Sequence, residues 1–155
     1  LLLGQYASPR DVATSIATYK SEVEVQGRQF DPMQVAVTRA FFVCDTAAER
    51  AAAMERRLAN RLRQLKLATT PDGTVHGGPD RATGDPQAVN EASAMYGNPD
   101  HIAARLEELR AAGAGYVLIN GGGSGGGARG RLSLRRFARE IMPHFAAAVP
   151  RRAAE

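Results

Sequence analysis

Twice in this chain a capped amphipathic helix passes through a glycine into an apolar strand, and that repeated order restricts the fold more than any other feature. The first unit opens at Ser8-Pro9-Arg10-Asp11. Ser8 can cap a helix, Pro9 suits its first position, and Asp11 sits where a carboxylate reaches back to the cap. Val12, Ile16, Tyr19 and Val23 then recur at helical spacing and line one face, and Gly27 is placed to end the helix. The pattern predicts a helix near 9–26. From Met33 to Cys44 the chain becomes β-branched and aromatic, a near-continuous apolar run that predicts a parallel strand over 34–43 covered on both faces.

The second unit repeats the plan. Asn98-Pro99-Asp100 predicts a helix over 99–112 with Ile102, Leu106 and Leu109 as its buried stripe and Gly113 as its stop. Tyr116-Val117-Leu118-Ile119-Asn120 predicts a strand over 116–120. Between the units, the capping box Thr46-Ala47-Ala48-Glu49 starts a helix over 47–66 whose Ala51, Met54, Leu58, Leu62 and Leu65 keep helical spacing. Ser133 is the expected cap of a last helix over 132–146 carrying Leu134, Phe137, Ile141 and Phe145, which Pro143 should kink or end. Residues 70–95, rich in Gly, Pro, Asp and Thr and without periodicity, read as a long loop or insertion.

Helices alternating with strands imply an α/β fold with parallel strands and right-handed crossovers. Two strands leave most helix stripes without a sheet to cover, so the 155-residue chain is expected to be a fragment or to pair with another copy as a homo-oligomer. Nothing is apolar for 18 consecutive residues, which argues against a membrane span or a leader peptide and for the cytoplasm. The formal charge of +4 raises the question of nucleic acid. The arginines alternate with acids, as in Glu55-Arg56-Arg57 and over 105–110, and this suggests solvated helix pairs, not a phosphate-tracking stripe. The most one-signed stretch, Arg129 to Arg139, reads as a solvated helix face or an anion contact.

Few residues carry obvious chemistry. Gly121 to Gly127, interrupted by Ser124, satisfies G-x-G-x-x-G only as any glycine run does, and no Gly-Lys-Ser/Thr ending makes a P-loop. A glycine loop after a barrel strand is nevertheless a place where backbone amides meet a phosphate. Arg39 is the one charge inside an apolar strand; it must find a helix acid or an anionic ligand. Asn120 ends its strand where parallel α/β folds bind ligands, or simply turns the chain. Cys44 has no neighbouring His in sequence and reads as a buried structural thiol. His76, His101 and His144 lack metal-ligand spacing, so no metal is expected.

Three stretches resemble the C-terminal region of the bacterial-luciferase-like flavin-dependent monooxygenases: Ser8-Pro9 through Tyr19, Val43-Cys44-Asp45-Thr46 through Arg50, and Gly97-Asn98-Pro99 through Ile119. The last runs on into Leu132-Ser133-Leu134-Arg135-Arg136-Phe137 through Pro143, which is similar to the family's closing helix. The resemblance implies that residues 1–149 are the C-terminal half of a (β/α)₈ TIM-type barrel, with 150–155 a tail. It implies an oxidoreductase that binds reduced FMN at the C-terminal strand ends and uses oxygen on a small organic substrate, with a flavin reductase as electron-donating partner and no role for nucleic acid or a membrane. In that frame the residues read above from their strand and loop positions, Arg39, Asn120, Gly121, Gly122 and Gly123, are the expected cofactor-binding residues; no residue is assigned a catalytic role. Alternatives in the same frame are a deazaflavin-dependent hydride-transfer enzyme and a non-catalytic flavin-binding or partner subunit. The sequence departs from the family in its length, in Cys44 where a small residue is usual, and in the extent of its glycine run.

Overall fold

The structure is a computed structural model that describes residues 1–74, 84–120 and 127–146. Its strands are β1 (Leu2–Leu3), β2 (Ala36–Val43), β3 (Met95–Gly97) and β4 (Tyr116–Asn120), and every pairing among them is parallel. The helices are α1 (Pro9–Val25), α2 (Ala47–Ala68), α3 (Pro86–Ser93), α4 (Pro99–Ala111), α5 (Gly127–Arg136) and α6 (Met142–Ala146), the last two joined by a π-helical segment, Phe137–Ile141. The result is mixed α/β with a parallel sheet.

The caps form as their residues dictate. Ser8 and Asp11 close one capping box and Thr46 and Glu49 another, while the Asn98 side chain accepts from the His101 N–H. Gly27 and Gly113 both take positive φ and end α1 and α4 in the same double hydrogen-bond pattern: Arg28 N–H to Val23 O with Gly27 N–H to Glu24 O, and Ala114 N–H to Leu109 O with Gly113 N–H to Arg110 O.

β2 is the axis of the sheet. β4 runs along its first half, from Ala36 opposite Tyr116 to Ala40 opposite Asn120; β1 meets Ala36 and Val37, and β3 meets Phe41 to Val43. Side chains alternate across a strand. Val35, Val37, Phe41 and Val43 accordingly share one core with Val12 and Ile16 of α1, the buried stripe of α4, and Phe137 and Ile141. Ala40, Phe42 and Cys44 share a second core with Ala53, Met54, Ala94 and Tyr96. In a (β/α)₈ barrel consecutive strands are neighbours; here both β3 and β4 lie against β2.

Five sequence expectations are corrected. Residues 70–95 are not one loop: Asp85 caps α3, Pro86 takes its first position, and β3 follows, with 75–83 outside the described residues. α3 escapes a periodicity test because its buried side chains, Asn90 and Ser93, are polar. α2 buries Ala53, Met54, Arg57 and Arg61, while Leu62 is exposed. Arg57 is therefore no solvated helix charge. It donates to both the backbone and side-chain oxygens of Asn90, to Ser93 Oγ at 3.1 Å and to Gln5 O at 3.3 Å, and the Tyr6 ring lies 4.8 Å from its guanidinium and 4.2 Å from that of Arg61.

Ser133 does not cap the last helix, because that helix begins at Gly127; its Oγ instead accepts the Val43 N–H at 2.9 Å and ties the helix to the end of β2. Nor does Pro143 end the helix, which continues to Ala146. The π turn, with Met142 N–H bonded to Phe137 O, widens the backbone just before a proline whose ring would crowd the carbonyl four residues back.

Among the described glycines Gly115 has the tightest surroundings: a Cβ there would overlap the Pro32 carbonyl and lie 2.6 Å from Met33 N. Gly27 has φ +70° but open space around it. Gly27→Ala should cost about 1–2 kcal/mol, the left-handed penalty of a Cβ. Gly115→Ala must move backbone, and should cost about 3 kcal/mol or more. Denaturant midpoints of the two variants check the order; a Gly115→Ala as mild as Gly27→Ala would contradict the packing of β4 on the Pro32–Gln34 turn.

Candidate functional site

Parallel strands carry their C-terminal ends to one side of the sheet. The segment after β1, Gly4 to Ala7, is gripped there by side chains from three other elements. Arg39, 2% exposed in the middle of β2, donates from Nη1 to Gly4 O at 3.1 Å and to Thr38 O at 3.0 Å, and from Nη2 to Ala7 O at 2.8 Å. Asn120 Nδ2 donates to Gln5 Oε1 at 3.3 Å, and Arg57 reaches Gln5 O from α2. The structure thus brings Arg39 and Asn120 onto one segment. Gly121, Gly122 and Gly123 lie outside the described residues.

The sequence offered Arg39 a helix acid or a ligand. Its hydrogen bonds described above all go to backbone carbonyls, which fix the start of α1 against β2. Burying a polar carbonyl without a donor costs 1–3 kcal/mol, and bonds to a charged donor are the stronger kind. Arg57 is held by neutral acceptors alone, so its charge adds positive potential at this end of the sheet; burial pulls its pKa below the usual arginine value. Its Nε and the Tyr96 hydroxyl have no hydrogen-bond partner among the described residues, and burial pushes the Tyr96 phenol up to about 12.

At the end of β2, Cys44 and Asp45 line two cavities. One, of about 210 Å³, lies against the N-termini of α2 and α4 and is also lined by Arg50, Asn98 and His101. Cys44 and His101, far apart in sequence, thus share a wall, though no hydrogen bond joins them among the described residues. Burial, then the Glu49 carboxylate, raises the thiol pKa of Cys44. Burial, with Arg50 and Arg105 nearby, lowers that of His101, so the pair is neutral near pH 7. The second cavity, of about 470 Å³, separates α2 from α5. A larger apolar hollow of about 760 Å³ lies away from these ends, between β4, α4 and the closing helices.

The residues of this strand-end cluster that the sequence did not single out are Gln5, Tyr6 and Arg57. The signal was weak: Arg57 stands among Arg56, Glu55 and other charges, and only its four-residue spacing from Ala53 and Arg61 marks the buried face. Among the described residues no cluster of three His, Cys, Asp or Glu could hold a metal, and no helix is long and apolar enough to cross a membrane. Comparison with known proteins finds no family model and no curated protein that matches this chain.

Two outcomes follow. Arg39→Met removes the donor from three carbonyls and should destabilise the fold by about 3 kcal/mol, read as a lower denaturant midpoint at unchanged slope; a loss under about 1 kcal/mol would show that these bonds do not hold the β1–α1 segment. Cys44, 3% exposed and shifted toward its protonated form, should react with an aromatic disulfide reagent at pH 8 at least ~10-fold more slowly in the native chain than in urea. Equal rates would mean that the thiol is accessible.

Proposed function

We propose that this chain is the flavin-facing, C-terminal half-barrel part of a luciferase-like oxidoreductase in which reduced FMN and molecular oxygen act on a small organic substrate. The observation that carries the reading is the convergence on Gly4–Ala7, where Asn120 at the end of β4 meets Gln5 beyond the end of β1 and buried guanidiniums surround the segment. Flavin phosphate is an anion, and positive potential with amide donors at parallel strand ends suits it. In this reading Asn120 and the glycines that follow it in sequence offer hydrogen-bond donors to the cofactor. Arg39 positions the Gly4–Ala7 backbone, and Arg57 supplies charge from behind it.

Flavin, when bound, supplies the redox chemistry; the chain orients it and excludes water. The barrel reading requires β3 and β4 to be neighbours, whereas both pair with β2 here, so it rests on strand direction and on the strand ends, not on strand order. A flavin reductase would be the electron-donating partner.

Fluorescence titration tests the proposal. FMN should bind at least ~10-fold more tightly than riboflavin, which lacks the phosphate, a difference of about 1.4 kcal/mol. Adding reduced FMN with the chain should change the rate of oxygen consumption from that of free flavin. Binding of a deazaflavin alone would move the reading to hydride transfer, FMN binding without any change in oxygen consumption would favour a non-catalytic flavin carrier, and binding of neither cofactor would end it.

A further inference from the structure

The 470 Å³ cleft between α2 and α5 is built from two matching helix faces over an apolar floor. Ala48, Ala52 and Arg56 succeed one another at four-residue spacing on α2; Arg129, Leu132, Ser133 and Arg136 do the same at helical spacing on the facing helix, and Phe42 and Val43 close the bottom. Its volume falls within the range of small-ligand sites.

The charges lining it are not equivalent. Arg136 is fully engaged: it forms a two-point pair with Asp45 at 2.9 Å on both arms and also holds Glu140, and these contacts raise its pKa. Glu49 is occupied by the cap of α2, accepting from Asp45 N–H, Thr46 N–H and Thr46 Oγ1. Both carboxylates of the cleft therefore already have donors. The Arg56 and Arg129 side chains make no ion pair or hydrogen bond with any described residue. Ser133 adds a third donor. Its oxygen accepts the Val43 N–H, but its own hydroxyl hydrogen has no acceptor among the described residues, although the residue is only 2% exposed. A buried hydroxyl normally satisfies its donor.

What remains unsatisfied in the cleft is a set of donors: a guanidinium on each wall and a buried hydroxyl on the α5 wall. The complementary group is one that only accepts hydrogen bonds and carries negative charge, a carboxylate or a phosphate. The apolar floor and Leu132 suit a hydrocarbon or aromatic body attached to it. We infer that the cleft between α2 and α5 is a binding site for a small organic anion, held through Arg56, Arg129 and Ser133 with its apolar body on Phe42 and Leu132. The site is separate from the Gly4–Ala7 segment and does not depend on the flavin reading.

The test is calorimetric titration of the full chain at 0.15 M salt with benzoate, phenyl phosphate and inorganic phosphate. Benzoate or phenyl phosphate should bind with Kd below ~1 mM and at least ~10-fold more tightly than inorganic phosphate, with the better of the two identifying the head group. Arg56→Gln and Arg129→Gln, both at exposed side chains and checked for folding by circular dichroism, should each weaken that binding ~10-fold or more. Arg131→Gln, on the same helix but outside the cleft, should leave it unchanged. The inference is overturned if neither organic probe binds, if inorganic phosphate binds as well as both, if the two cleft variants bind as the parent does, or if the Arg131 variant loses as much as they do.

Discussion

The hydrogen-bond ladder of β2 is the constraint on which the other elements depend. A strand covered on both faces has no water to satisfy its backbone, so its N–H and C=O groups need partners along its length. β4 pairs with its first half, β3 with its second, and β1 with its opening residues. Where the ladder with β3 and β4 leaves Val43 N–H, a side chain from the closing helix, Ser133, completes it. The placement of α1, α2, α4 and α5 follows, because each covers one of the two alternating sets of β2 side chains or reaches its end.

Arginine does in this interior what a purely apolar core could not. Backbone segments that leave a strand and turn into a helix carry carbonyls with no ladder partner, and between β1 and α1 these belong to Gly4, Gln5 and Ala7. Arg39 and Arg57 supply multiple donors from fixed forks, so a few side chains satisfy several carbonyls across elements far apart in sequence. Desolvating a guanidinium is costly unless it is well bonded, which makes this arrangement sensitive to the loss of either partner. It also concentrates positive charge at one end of the sheet, and the anion-binding reading of the strand ends draws on that charge.

The two candidate regions differ in how far the sequence revealed them. Arg39 and Asn120 were visible because each breaks an apolar strand, and any charge or amide in such a run must have a specific partner. The cleft was not visible. Arg129 stood out only as part of a basic stretch, Arg56 as one of many alternating charges, and Ser133 as an expected helix cap. Their common property, that the acids around them are already occupied while they are not, depends on contacts such as Arg136 with Asp45, 91 residues apart.

The sequence by itself determined the local elements. Caps, glycine stops and periodicity specify α1, α4, β2 and β4 to within a residue or two, because those signals act between residues a turn or less apart. It did not determine α3 and β3, which are too short and too polar for periodicity to register, nor which face of α2 is buried. That choice was decided by tertiary structure: Asn90, Ser93 and Gln5 offer acceptors to Arg57 and Tyr6 offers its ring, so a cation is buried where Leu62 would have been by pattern alone. Strand order was likewise a tertiary outcome. Hydrophobic pattern states only that β2, β3 and β4 must be covered, and the long-range pairing that sets β3 and β4 both against β2 is fixed by how the helices pack once the chain has closed on itself.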